Sequence, residues 1–113
     1  ATSAQKNCLY CVVSHGAVLR IRAKDPVLSD QLAINFKKSK VSKKQMAMLN
    51  FAVKVARESD HINDEDFKIL QDHGFDIEDA WRIASVASFF AMSNRLANTF
   101  SMLPNTEFYN MGR

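Results

Sequence analysis

The sequence predicts an all-α fold, on three observations. Glycine and proline are scarce, Gly 3 and Pro 2 in 113 residues, about 4% against a usual ~12%, too few turn formers for a sandwich of many short strands. Apolar residues recur at helical spacing, giving wide apolar faces. Between these stretches stand polar clusters of the types that start and stop helices. Hydrophobic residues at 47% and charged residues at 24% are ordinary globular composition, which excludes a disordered or collagen-like chain. The length suits one domain over residues 1 to 113.

The elements follow in order. Asn7 is read as the cap of a helix from Cys8 to about Lys24, with Arg20, Arg22 and Lys24 in its last turn, where cations suit the dipole. Asp25-Pro26 ends it and opens a short helix through about Ala33, because proline in the first turn gives up only an amide that has no partner. Lys37-Lys38-Ser39-Lys40 reads as an exposed connection. Ser42 and Gln45 have capping-box spacing and start a helix to about Glu58, with Met48, Phe51, Ala52 and Val55 on one side and Met46, Leu49, Val53 and Ala56 on the adjoining one.

The next helix is signposted at both ends. Asn63 caps it, Asp64, Glu65 and Asp66 fill the first turn, and Ile62 is placed to staple onto Phe67. Gly74 after His73, with Phe75 folding back on Leu70, predicts a Schellman ending. Asp76 then caps a long helix to about Ser101. From Ala80 to Met92 that helix is apolar nearly all round, which predicts a long, buried, central helix. Asn94 and Arg95, late in the same helix, are read as a buried polar pair that needs partners.

Several function classes are excluded or weakened by composition. No apolar run approaches the ~20 residues of a membrane span, and residues 1 to 7 lack a signal peptide's apolar core, so the expected location is cytoplasmic. Residues 1 to 57 hold 11 Lys/Arg and 2 Asp/Glu, whereas 58 to 113 hold 4 and 10. The basic half lacks interleaved aromatics and a recognition-helix signature, so nucleic acid is not the expected partner. Attraction between the halves, or between copies, is.

Chemistry concentrates at Cys8, Cys11 and His15. Steps of three and four residues place all three on one helical stripe, and adjacent turns bring the cysteine Cα atoms about 5 to 6 Å apart, within disulfide range. The first turn of a helix favours a thiolate, and His15 is one turn beyond Cys11, placed to take its proton. Cys11 is therefore the expected nucleophile. Cys8 is the expected resolving thiol, attacking an oxidised Cys11 before it over-oxidises. Two other readings stand beside this one: inert packing of small apolar cysteines, and a metal site. The metal site lacks further ligands, because His61 and His73 lie at helix boundaries with no paired spacing to the cysteines. Gly16 costs about 1 kcal/mol inside a helix relative to alanine and is expected to admit a close neighbour.

Asn7-Cys8-Leu9-Tyr10-Cys11-Val12-Val13-Ser14-His15-Gly16 resembles the alkylhydroperoxidase D (AhpD)-like branch of the carboxymuconolactone decarboxylase family. Phe89 to Arg95 and Pro104 to Arg113 resemble its peroxidase-related subgroup. The resemblance implies a helical bundle, homo-oligomers, and a peroxidase cycle with a sulfenic acid at Cys11 resolved by Cys8, with His15 at the relay histidine. It implies no bound cofactor and no metal, a hydroperoxide substrate, and an external dithiol reductant, a lipoyl-bearing adaptor in the type enzyme. The family also has a glutamate about three helical turns before the first cysteine, in an N-terminal helical region ahead of the core. This chain begins after that point, and Ala1 to Lys6 resembles the tail of that helix. The expectation is a truncated or processed form, or a carboxylate supplied by another copy. The expected function is thus a thiol-dependent, peroxiredoxin-type antioxidant enzyme. The alternatives are a non-catalytic oligomerisation module and a decarboxylase-like member of the family.

Overall fold

A computed structural model describes all residues from Ala1 to Arg113. Six α-helices and three 3₁₀ turns account for its regular structure, with no strand: α1 (Thr2–Gln5), α2 (Leu9–Ala23), α3 (Pro26–Asn35), α4 (Lys43–Glu58), α5 (Asp64–Asp72) and α6 (Ile77–Thr99). The turns are Phe36–Lys38, Ser59–His61 and Thr106–Tyr109. None of the helices is long and apolar enough to cross a membrane.

The caps explain where the helices begin. Asp25 Oδ1 accepts from the amides of Val27 and Leu28, with Pro26 in the first turn of α3. Ser42 and Gln45 form the expected capping box on α4. Asn63 pairs reciprocally with Asp66 on α5. Asp76 and Asp79 exchange the same two bonds at the start of α6.

α3 runs on to Asn35, two residues past the expected Ala33, and two further boundaries differ from expectation for one physical reason. Asn7 does not cap α2. It sits at φ 51° after α1, with Asn7 N–H donating to Ala4 O and Cys8 N–H to Ser3 O, the paired bonds of a Schellman ending. Cys8 becomes the cap of α2 instead. At the far end of α6, Ser101 takes φ 52° while Met102 N–H closes on Ala97 O, so the helix stops at Thr99. Asparagine and serine here occupy the left-handed position that glycine usually marks. Gly74, at φ 84°, makes the third such ending, with Phe75 N–H on Leu70 O.

The chain divides into two compact units. One comprises Ala1, Ser3–Lys40 and Met92–Arg113. In it α2 packs on α3 and on the Thr106–Tyr109 turn. The buried Arg20 guanidinium holds that turn by donating to three carbonyls, Met111 O at 2.8 Å, Phe108 O at 2.6 Å and Tyr109 O at 3.4 Å. Gly112, at φ 78°, passes so close that a Cβ there would meet Arg20 Cβ at 2.9 Å. Arg113 adds a bidentate pair with Asp30.

The other unit comprises Thr2 and Val41–Ala91. Phe51, Leu70 and Ala80 form its core, with Val55, Ile62, Phe75, Ile83 and Ala84 packed around them. Phe51 and Phe67 meet edge to face at 5.7 Å. Lys44 lies over the Phe75 ring at 4.7 Å, and Lys54 pairs with Asp66 at 2.7 Å.

Burial of α6 departs from the all-round burial that its composition predicts. Its small residues Ala80, Ala87, Ala91 and Ala97, with Asn94, form the buried stripe. Most of its large ones face outward: Trp81 is 75% exposed, and Phe89, Met92 and Leu96, with Phe100 just past the helix, share that side, while Ile83 packs on the core. The helix reads as apolar all round because it carries two apolar faces, and this chain covers only one of them. The expected Asn94-Arg95 pair is likewise split, Asn94 buried and Arg95 exposed.

Candidate redox site

α2 begins at the cysteines. Cys8, in extended conformation, is its N-cap, and its Sγ accepts the Cys11 amide at 3.3 Å. A sulfur therefore does what a serine hydroxyl usually does, satisfying one of the unpaired first-turn amides. One turn on, Cys11 closes a disulfide with Cys8, at a Cα–Cα distance of 5.3 Å. Ala97 of α6 and the half-buried Tyr10 pack against the pair.

The two sulfurs differ in access. Cys8 is 0% exposed and Cys11 3%. Cys11, but not Cys8, lines a cavity of about 90 Å³, with His15, Gly16 and Ser29 also in its wall. By the same measure one water needs ~10–15 Å³, so the head of a small peroxide fits.

His15 is held by its own helix. Its Nδ1 lies 2.8 Å from the Cys11 carbonyl oxygen. A carbonyl only accepts, so Nδ1 carries the hydrogen, and in the neutral ring Nε2 carries the lone pair. The backbone thus favours the tautomer whose Nε2 is the proton-accepting nitrogen. His61 and His73 are elsewhere: His61 stands near Glu58 and Asp60, and His73 is hydrogen-bonded to Ile69 O at 2.7 Å. No three His, Cys, Asp or Glu side chains come together as metal ligands.

Two solved structures share this arrangement of helices. One is the crystal structure of an alkylhydroperoxidase AhpD core, an uncharacterized peroxidase-related protein from Ralstonia eutropha JMP134, 54% identical with a TM-score of 0.97. The other is an uncharacterized peroxidase-related protein from Silicibacter sp. TM1040, 39% identical with the same TM-score. The chain is similar to AhpD-core, peroxidase-related proteins in fold and in sequence. The matches cover 99% of this AhpD-like chain and 59% of each of the two solved chains, so it spans about three-fifths of their length. No protein-family model and no curated protein matches the sequence.

Within this site Ser29 was invisible to sequence reasoning, whereas the sequence predicts Asn94 to be buried and in need of partners. Ser29 of α3 is 5% exposed and donates its hydroxyl to Gly16 O at 3.2 Å. Its only forewarning was Gly16: a Cβ at that position would meet Ser29 Oγ at 3.1 Å. Asn94 is fully buried, its Nδ2 donating to Ser3 Oγ at 3.0 Å while its Oδ1 finds no partner. Ser3 also lines the cavity.

Proposed function

We propose that this AhpD-like chain is a thiol-dependent peroxidase that reduces a hydroperoxide at Cys11. The observation that carries the reading is the asymmetry of the pair: one cavity is lined by Cys11 and His15 but not by Cys8.

In the reduced protein His15 Nε2 takes the Cys11 thiol proton. The thiolate attacks the terminal oxygen of the peroxide; the S–O bond forms as the O–O bond breaks, and the departing alkoxide takes the proton from His15. Cys11 is left as a sulfenic acid and the substrate as an alcohol. The Cys8 thiol then attacks Cys11 Sγ, releases water and forms the disulfide.

The same asymmetry gives reopening a direction. An external dithiol reaches Cys11 Sγ, the sulfur at the cavity, and expels Cys8 as a thiolate onto the Cys11 amide that already points at it. The second thiol of the reductant then releases Cys11, and the reductant leaves as a disulfide. Lipoyl-type dithiols, in a reducing cytoplasm, fit this step.

The exposed Trp81–Phe100 side of α6 supports homo-oligomerisation, since an apolar face of this kind marks a contact surface. Turnover tests the function: with a small dithiol in excess, the protein consumes alkyl hydroperoxide catalytically, and Cys11→Ser abolishes this. Consumption at the rate of the dithiol alone would overturn the reading.

A further inference from the structure

The cavity beside Cys11 has walls from α1, α2 and α3, and most of its lining side chains are aliphatic. A hydroperoxide entering it brings one O–H group that needs an acceptor, because a buried unmade hydrogen bond is costly. On the α2 side His15 is not that acceptor once it holds the thiol proton. The cavity has two hydroxyls. Ser3 Oγ already accepts from Asn94 Nδ2. Ser29 Oγ spends its hydrogen on Gly16 O and is otherwise a pair of acceptor sites in a 5%-exposed side chain.

A serine inside a helix commonly bonds back to the carbonyl four residues earlier. Ser29 instead reaches across to α2, and its approach depends on Gly16 having no side chain, since a Cβ would lie 3.1 Å from Ser29 Oγ. The residue after His15 therefore lets the hydroxyl sit close against α2, in the wall of the cavity that Cys11 and His15 also line.

We infer that Ser29 positions the hydroperoxide, accepting a hydrogen bond from its terminal O–H and so presenting that oxygen to Cys11. The inference rests on the peroxidase reading above. The atoms balance with it: the terminal oxygen keeps its hydrogen and becomes the sulfenic hydroxyl, while the inner oxygen leaves with the proton from His15.

The test compares two rates at Cys11 in the reduced protein, oxidation by tert-butyl hydroperoxide and alkylation by iodoacetamide, each mapped to Cys11 by mass spectrometry. Iodoacetamide reports the thiolate and its access but offers no peroxide O–H. Ser29→Ala is expected to slow oxidation about three- to tenfold, the effect of one hydrogen bond, and to leave alkylation unchanged. Ser29→Thr, which keeps the hydroxyl, is expected to restore oxidation. Equal oxidation of wild type and Ser29→Ala, with wild type well above a free thiol, overturns the role of Ser29 and leaves the peroxidase reading standing. Parallel slowing of both reactions also overturns it, as a structural effect. A wild-type protein oxidised no faster than a free thiol overturns the peroxidase reading and this inference with it.

Discussion

At the scale of single residues, the account turns on two atoms with different duties. Cys8 Sγ caps the helix in a fully buried residue, whereas Cys11 lines the cavity. After peroxide treatment, Cys8→Ser is expected to carry a trapped or over-oxidised Cys11, and Cys11→Ser to react only as an unactivated thiol; intact mass reads both. Treated with peroxide and then with one equivalent of a monothiol, Cys8→Ser is expected to hold a mixed disulfide on Cys11, because no second thiol is present to release it. His15→Gln keeps a donor for the Cys11 carbonyl but lacks a base of the right strength. It is expected to slow peroxide oxidation by about 10²-fold, measured by stopped flow, with the disulfide still forming under a thiol-specific oxidant such as diamide. The spacing of these three residues was legible because helix periodicity is local. Ser29 was not, because its contact with Gly16 is made between helices, and nothing in the sequence between them encodes it.

At the scale of elements, the capping chemistry sets stability. Ser42→Ala removes the acceptor for the Gln45 amide and is expected to cost about 1 kcal/mol in chemical denaturation. Ser101→Gly relieves a non-glycine residue at φ 52° and is expected to gain about 1 kcal/mol. The hydrogen bond from Lys54, joined by the Asn63 amide and opposed by partial burial, holds the Asp66 carboxyl below its ordinary range. A depressed folded-state value means the contribution is present above the unfolded pKa of about 3.9 and is lost as pH falls through the lower folded value. Asp66→Asn is therefore expected to flatten the acid end of the stability profile, by about 0.2–1 kcal/mol for a partly exposed pair. Gly74 and Phe75 announced their Schellman ending because glycine followed by an apolar residue is a specific signal. Asn7 misled because asparagine serves equally as a cap and as a left-handed terminator, and here the preceding short helix claimed it. Ser101 carried no signal of its own.

At the scale of the whole molecule, the informative feature is α6. Its sequence shows how much of the helix is apolar but not which partner each face meets, so burial by this chain and burial by a copy look alike until the coordinates separate them. With Trp81, Phe89 and Leu96 exposed on one side, the protein is expected to sediment well above its 12.8 kDa. Phe89→Glu is expected to shift it toward the monomer with helix content unchanged. A wild type that sediments as a monomer would remove the support for homo-oligomers. The AhpD-like fold itself was readable across nearly all the chain, because its helix signals and its Cys-x-x-Cys segment are local patterns.

The most direct measurement is a single turnover: one equivalent of hydroperoxide mixed with the fully reduced protein, followed by quenched-flow mass analysis. The account predicts loss of two hydrogens as the Cys8–Cys11 disulfide, formed through a transient added oxygen on Cys11, far faster than a free thiol reacts. Slow oxygen addition to either cysteine at the free-thiol rate, with no disulfide following, would contradict it.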